Sequence, residues 1–194
     1  SIKHNKMFDL CLIGLGNPGA KYDQTKHNIG KDWLVALSQE LNITFEPKKK
    51  FESSIASSHE GRVLWVVPDN YVNNSGSTVK KIIKNNNLDM KNIIVLHDDL
   101  DLNPGDVRLK IDGGHGGHNG LRDIFQKTGS KEFIRIRIGI GHPGMKSEVN
   151  KWVLSKFNPA DKECLKKSYS KLLDAFTKIC NKEFAEAQKY LHTN

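Results

Sequence analysis

The stretch Phe8-Asp-Leu-Cys-Leu-Ile-Gly-Leu-Gly-Asn-Pro-Gly19 joins a short apolar run to a glycine-rich loop. Apart from Asp9, residues 8–13 are apolar, and glycines follow them, which is the pattern of a buried β-strand. The loop has the spacing G-x-G-x-x-G, which is the fingerprint of a dinucleotide-binding turn. Pro18 argues against that function because it removes a backbone donor, and no helical pattern follows the loop directly. The alternative is a glycine turn that simply leads the chain out of the strand.

Strand-like and helix-like segments alternate along the rest of the chain. Apolar residues recur at helical spacing over residues 28–41, which predicts an amphipathic helix. Residues 51–58 and 62–67 flank His59-Glu60-Gly61 and are predicted to form a β-hairpin, whose glycine can adopt a positive φ. The next elements are a helix around residues 79–83, strands at 93–96 and 107–111, and a short helix that ends at Gly129.

Two patterns near the C-terminus complete the prediction. Residues 133–140 alternate strictly, so one face of this strand is apolar and the other, with Arg135 and Arg137, is expected to meet solvent or a ligand. Asn158-Pro159 then begins a helical region whose apolar stripe continues from Leu165 to Ala187. The alternation predicts an α/β fold, a single-domain layer sandwich with a twisted mixed β-sheet flanked by α-helices. Ligands are expected in loops beyond the strand ends.

Length and charge restrict the class of protein. The chain has 194 residues and a formal net charge of +8, with a pI near 9.3. We expect one catalytic domain over residues 8–194, including the C-terminal helices, preceded by an N-terminal arm or cloning remnant at residues 1–7. The basic balance favours an anionic partner such as nucleic acid, although a charged surface also serves solubility alone.

Some kinds of site are disfavoured by the sequence. Cys11, Cys164 and Cys180 are widely spaced, which argues against a disulfide framework and against a thiolate zinc site. No run approaches the roughly 18 apolar residues that a membrane span needs, and the first residues lack the apolar core of a signal peptide. We therefore expect a cytoplasmic protein without membrane partners.

Polar clusters follow the predicted strands. Tyr22, His27 and Asn28 come after the first glycine loop. In Asn70-Tyr-Val-Asn-Asn-Ser-Gly76, Asn73 is either a helix cap or a neutral amide that orients a carbonyl and a water. The carboxylates of His97-Asp-Asp-Leu-Asp101 allow three interpretations. They bind Mg²⁺, they belong to a solvated acidic turn, or Asp98 accepts from an imidazole and fixes its tautomer.

The segment Gly113-Gly-His-Gly-Gly-His-Asn-Gly120 is the least ordinary in the chain. So many glycines are unfavourable in regular structure, and they predict a close approach of the backbone to a ligand. His115 and His118 are possible metal ligands, but no third ligand lies near them in the sequence. The backbone N–H groups at the start of the next helix, together with Asn119, are expected to meet a phosphate or an oxyanion.

Taken together, these motifs resemble the bacterial-type peptidyl-tRNA hydrolase family. The resemblance runs in family order from about residue 8 to residue 155. It rests on the following stretches: Gly14 to Gly19 with Tyr22 and His27-Asn-Ile-Gly30, Asn73 with Ser75-Gly76, His97-Asp98 with Leu100-Asp-Leu102, Gly113 to Gly120, and Arg137-Ile-Gly-Ile-Gly-His-Pro-Gly144. Two positions depart from the family pattern. Tyr71-Val-Asn73 stands where Phe-Met-Asn is common, and Asp112 replaces a usual glycine.

The resemblance implies an esterase that releases peptides from the 3′ end of tRNA and so recycles it. In this family the water is activated by a histidine, without a metal or cofactor, and we expect a monomer. The residues that match family positions are catalytic His27, Asp98 and Asn17; substrate-binding Tyr22, Tyr71, Asn73, His118 and Asn119; and tRNA-binding Arg137, Lys110 and Arg108. A dinucleotide-dependent oxidoreductase and a non-catalytic RNA-binding module are the alternatives from other classes.

Overall fold

The computed structural model describes residues 8–193. The predicted arm at residues 1–7 lies outside this range. Seven strands form one mixed sheet in the order β2-β3-β4-β1-β5-β7-β6. The strands are β1 Leu10–Gly14, β2 Glu46–Lys48, β3 Ser53–Ser58, β4 Val63–Pro68, β5 Ile93–Asp99, β6 Val107–Ile111 and β7 Ile134–Gly139. The helices are α1 Ile29–Glu40, α2 Ser75–Asn86, α3 Asn119–Thr128, α4 Val149–Val153, α5 Pro159–Cys180 and α6 Phe184–His192.

The centre of the sheet is parallel and its margins are antiparallel. β1 pairs in parallel with β4 and β5, and β5 pairs in parallel with β7. The β3–β4 hairpin is antiparallel as predicted, and so is the pair β6–β7. Because β1, β5 and β7 run the same way, their carboxyl ends meet at one edge, where ligand sites of open α/β sheets are found.

Helices cover both faces of the sheet, which confirms the predicted layer sandwich. Leu10 and Leu12 of β1 pack in one buried cluster with α1, α5 and α6. Cys11 and Ile13 point to the other face and pack with α2 and α3. The alternation of the strand explains this division, since neighbouring side chains point to opposite faces. Within residues 8–193, none of the helices combines the length and apolar character needed to cross a bilayer.

Local signals placed most element ends correctly. Gly129 ends α3 in the left-handed conformation, and the Asn158 side chain accepts from the Asp161 N–H to cap α5. The C-terminal stripe is divided, however, because the chain turns between α5 and α6 with Lys182 at φ 62°. Because the residue with the positive φ is not a glycine, the sequence does not predict this turn.

The two arginines on the polar face of β7 differ in their exposure to solvent. Arg137 is partly exposed, but Arg135 is only 1% exposed and does not face solvent. Its guanidinium lies 4.3 Å from the ring centroid of Phe133 and donates to the backbone oxygens of Gly113 and Lys131. Both hydrogen bonds come from Nη2, whereas Nε and Nη1 are buried without a hydrogen-bond partner among residues 8–193. The aromatic contact and the two carbonyl acceptors therefore replace only part of the water that a charged group ordinarily requires.

Candidate active site

The site begins where β1 and β5 end side by side. Gly14 of β1 is in register with Leu96 of β5, so the loop after β1 lies next to His97 and Asp98. The chain returns to this edge through a 3₁₀ turn at Lys26–Asn28, which leads directly into α1. Strand pairing therefore brings together two segments that lie 71 residues apart in the sequence.

Gly30 allows this close approach. A Cβ at Gly30 would lie 2.1 Å from the backbone oxygen of Leu96, which is far shorter than any real contact. A glycine is therefore required for the start of α1 to pack on β5. This packing places the preceding His27 beside Asp98.

His27, which is partly exposed, pairs with the buried Asp98. The Nδ1 atom of His27 lies 3.1 and 3.0 Å from the two carboxylate oxygens of Asp98, whose side chain is 3% exposed. Burial alone would lower the pKa of His27, but the negative charge and hydrogen bond of Asp98 raise it above its ordinary value. Since a carboxylate only accepts, Nδ1 must carry the proton, and the lone pair of Nε2 is left free.

His118 supports the same carboxylate from the other side. It caps α3, where its Nδ1 accepts from the N–H groups of Gly120 and Leu121, and its Nε2 lies 2.9 Å from Asp98 Oδ1. An atom that accepts two N–H groups carries no proton, so the proton of His118 is on Nε2 and points at Asp98. Both ring nitrogens are thus engaged within the protein, which leaves only ring contact for the predicted substrate-binding role.

This arrangement changes the expectation for the glycine segment. The N–H groups of Gly120 and Leu121 were expected to meet a phosphate or oxyanion, but the His118 side chain occupies them. Backbone geometry gives a local reason for two of these glycines, since φ is 135° at Gly113 and 79° at Gly117. Asp112 is held at φ 81°, a value that suits the glycine usual at this position.

His97 was not predicted as a site residue, although it adjoins Asp98. It is 3% exposed, and its Nδ1 lies 2.8 Å from the backbone oxygen of Asp98, to which it donates. Burial lowers the pKa of His97 to about 4. A neutral imidazole here packs edge-on against His118 and fixes the end of β5.

The sequence offered two alternative metal sites, one at the histidines of the glycine segment and one at the carboxylates of residues 98–101, and the donor atoms fit neither. Among residues 8–193, the one cluster close enough to hold an ion is His27, Asp98 and His118. Because the proton of His118 is on Nε2, that atom has no lone pair for a metal. The three carboxylates of 98–101 do not converge either, since Asp99 accepts from Arg137 and from the Asp101 N–H.

Asparagines organise the opposite side of His27. The backbone N–H of Asn17 donates to the Asn28 side chain at 2.8 Å, and Asn28 Nδ2 donates back to the Asn17 carbonyl. The Oδ1 of Asn17 accepts from the Val72 N–H at 2.8 Å, so its amide NH₂ is the end that remains for a ligand. Asn28 is fully buried and was not predicted as a site residue. The sequence does not show whether an asparagine is buried with a structural role or exposed on the surface.

The other predicted substrate residues lie around His27 and differ in their exposure to solvent. Tyr22 and Tyr71 contact each other edge to face at 6.0 Å between ring centroids, and Tyr71 is 53% exposed. Asn119 is the first residue of α3 and lines the cavity beside His27. Asn73 is exposed on the 3₁₀ turn at Val72–Asn74, outside the set of residues that line this cavity.

A cavity of about 270 Å³ joins the histidine cluster to a group of cations. One wall is formed by Val149, Asn150 and Val153 from the segment of α4. Its cationic end contains two of the predicted tRNA residues, Lys110 and Arg137, together with Arg135. Arg137 donates from Nε to Asp99 Oδ2 at 2.7 Å.

Arg108, the third predicted tRNA residue, is exposed on β6. It stands directly across the β6–β7 pair from Arg137, while Lys110 stands across from Arg135. The antiparallel register therefore collects basic side chains from both strands beside the carboxyl end of β5.

Comparison with known proteins identifies the family of this chain. The family model described as peptidyl-tRNA hydrolase matches residues 11–194. The peptidyl-tRNA hydrolase of Delftia acidovorans is 39% identical over 184 residues, covering 94% of this chain and 89% of that protein. That of Francisella tularensis subsp. tularensis is also 39% identical, covering 94% of this chain and 96% of that protein.

Solved structures give the same result for the fold. The crystal structure of peptidyl-tRNA hydrolase from Acinetobacter baumannii has a TM-score of 0.91 and 36% identity, covering 96% of both chains. A peptidyl-tRNA hydrolase crystallised with N-propanol has a TM-score of 0.91 and 35% identity, covering 97% of this chain and 96% of that one. With a family model that spans nearly all of its residues, this chain belongs to the peptidyl-tRNA hydrolase family.

Proposed function

We propose that the chain hydrolyses the ester bond between a peptide, or an N-blocked aminoacyl group, and the 3′ end of tRNA, and so recycles tRNA from prematurely released peptidyl-tRNA. The observation that carries the proposal is the His27–Asp98 pair at 3.0 Å, which leaves Nε2 of His27 as a base. Family membership supplies the substrate class, because the relatives are named for this activity.

His27 acts as the general base. Its Nε2 takes a proton from water while the water oxygen attacks the ester carbonyl, which forms a tetrahedral oxyanion. Collapse of the oxyanion breaks the bond to the ribose 3′ oxygen, and the imidazolium returns its proton to that leaving oxygen. The products are a tRNA with a free 3′ hydroxyl and a peptide carboxylic acid, which loses its proton to solvent and becomes a carboxylate.

Asp98 orients His27 and stabilises the imidazolium. The buried carboxylate accepts from His27 and His118, and although burial would raise its pKa, these two partners hold the pKa well below its ordinary range. Asp98 therefore stays ionised throughout the reaction, and its negative charge stabilises the imidazolium that forms when His27 takes the proton.

Amide groups stabilise the oxyanion and hold the acyl part. The NH₂ of Asn17 is the donor proposed for the oxyanion, since the oxygen of this side chain is occupied by Val72. Asn119, Asn73, Tyr22 and Tyr71 contact the peptide and the terminal nucleotide, and His118 contributes through its ring. Such donors act most strongly when they are fixed before the charge develops.

The cations bind tRNA. Lys110 and Arg137 at one end of the cavity, with Arg108 beside them, contact backbone phosphates, and this attraction weakens as salt rises. We further propose that residues 8–194 form one catalytic domain that acts as a cytoplasmic monomer. Size measurement in solution tests the monomer. The large apolar side chains exposed among residues 8–193 lie on separate elements and suggest no broad apolar interface.

The test compares one acyl group on two leaving groups. Purified protein is given N-acetyl-aminoacyl-tRNA and the matching N-acetyl-aminoacyl-adenosine, and free tRNA or adenosine is measured. We expect both to be cleaved, with a kcat/KM for tRNA that falls as salt rises and a value for the small ester that does not. If neither ester is cleaved while tRNA still binds, the chain is an RNA-binding module and the proposal fails.

A further inference from the structure

Lys26 is a buried cation immediately before the catalytic histidine. It is 3% exposed, and none of the ion pairs found among residues 8–193 includes it. Its Nζ donates to Ser155 Oγ at 2.8 Å and to the backbone oxygen of Lys156 at 3.0 Å. Lysine is rarely this buried without a carboxylate, so the chain must gain something from these contacts.

An aromatic ring completes the site of the ammonium. Nζ lies 3.9 Å from the ring centroid of Trp152, which is within the range of a cation–π contact. Trp152 belongs to α4, and its Nε1 donates to the Gly141 carbonyl at 2.9 Å. Burial lowers the pKa of Lys26, and the charge of Asp161 opposes that effect.

These contacts join the catalytic turn to one wall of the cavity. Val149, Asn150 and Val153 line the cavity together with His27. α4 has only five residues, which is too short for a helix to be stable by its own hydrogen bonds. Its position must therefore come from contacts with other segments.

The backbone adds to this connection. The Lys26 N–H donates to the Ser155 carbonyl at 2.9 Å, and Thr25 and Lys156 form an isolated antiparallel bridge. The side chain of Lys26 extends the connection from the end of the segment back to Trp152 within α4. The same residue thus contacts α4 and precedes His27 in the chain.

We propose that Lys26 is a positioning residue, which fixes α4 at a set distance from His27 and so holds the scissile ester against the base. The proposal rests on the hydrolase function given above. It predicts an effect on turnover and none on tRNA affinity, because the ammonium is buried and turned toward α4. A displacement of about 1 Å at such a wall can lower the rate by roughly 10²-fold.

The test uses two variants of Lys26. Lys26→Met keeps most of the length of the side chain but removes its charge and its N–H donors. Lys26→Arg keeps the charge and the donors. Lys167→Met makes the same change on the exposed side of α5 and is the matched control. We measure kcat on N-acetyl-aminoacyl-tRNA, Kd for deacylated tRNA, and acrylamide quenching of tryptophan fluorescence. Trp33 and Trp65 are 6% and 0% exposed, so quenching reports mainly on Trp152.

We expect Lys26→Met to lower kcat about 10- to 100-fold, with Kd unchanged and quenching increased, and Lys26→Arg to restore most of the kcat. A folded Lys26→Met protein with wild-type kcat, or a Kd that weakens in step with kcat, would overturn the proposal. If Lys26→Met does not fold, Ser155→Ala removes one acceptor and must lower kcat roughly 2- to 10-fold, and an unchanged kcat overturns the proposal. If the wild-type protein hydrolyses no ester, the proposed function has failed, and quenching alone decides whether Lys26 anchors α4.

Discussion

Asp98→Asn is expected to reverse the tautomer of His27, and the structure gives the reason. The proton of His118 is fixed on Nε2 because its Nδ1 accepts from the N–H groups that begin α3. The amide oxygen of an asparagine at position 98 must therefore accept from His118. Its NH₂ then faces Nδ1 of His27, which has to become an acceptor, so that the proton moves to Nε2 and the base is lost.

The magnitude follows from the bonds that change. The charged hydrogen bond from the imidazolium to Asp98 contributes about 2 to 3 kcal/mol in the transition state, and restoring the active tautomer costs about one further hydrogen bond of 1 kcal/mol. At 1.36 kcal/mol per factor of ten, this total lowers kcat by about 10²- to 10³-fold. The pH midpoint of the remaining activity should move down, since the Asp98 charge raises the pKa of His27.

The assay measures kcat on N-acetyl-aminoacyl-tRNA from pH 5 to 9, and ¹⁵N NMR of the histidine rings reports the tautomer. Asp89→Asn is the control. It changes a carboxylate near the opposite end of β5, where asparagine also caps the turn. A kcat of Asp98→Asn within tenfold of wild type, or a His27 ring that keeps its proton on Nδ1, would refute the reasoning.

Three further predictions concern packing, pH and tRNA. Gly30→Ala forces a Cβ against the Leu96 carbonyl, so it should lower the free energy of unfolding by about 1 to 3 kcal/mol and also lower kcat. The control Gly114→Ala has open space around it and should leave stability unchanged. Equal stability of the two variants would contradict this prediction. Burial raises the pKa of Asp32 from 3.8 to about 6, so its ionisation destabilises the fold as the pH rises through this range. Asp32→Asn should therefore gain about 1 to 2 kcal/mol of stability at pH 8 after solvent screening and none at pH 3, and thermal melts that show the same gain at both values would exclude the explanation. Arg137→Ala should weaken tRNA substrates and reduce the salt slope by about one unit, but spare N-acetyl-aminoacyl-adenosine, and a matching loss on the small ester would count against phosphate binding.

The strands could be predicted because their signal is local. The apolar run at β1, the hairpin around Gly61 and the alternation of β7 each belong to one segment of the sequence. The parallel pairing of β1 with β5 joins segments about 80 residues apart, and no local pattern specifies it. The pairing of His27 with Asp98 depends on that register, so the sequence indicated it only through the family resemblance.

The burial of Arg135 and Lys26 is not visible in the sequence, because charged residues are ordinarily exposed. Arg135 contacts Phe133, which is close in the sequence, but Lys26 contacts Trp152, which only tertiary packing brings near. The capping of α3 by His118 and its bond to Asp98 likewise become visible only when α3 and β5 are side by side.

The most direct test of His27 as general base is release of free tRNA from N-acetyl-aminoacyl-tRNA in the presence of EDTA, comparing wild type with His27→Ala. The control is His59→Asn, which removes an imidazole from the β3–β4 hairpin and keeps a residue suited to its φ of 55°. We predict full activity for wild type and control, and a loss of about 10²- to 10⁴-fold for His27→Ala. A folded His27→Ala protein that retains more than a tenth of wild-type turnover would contradict the account.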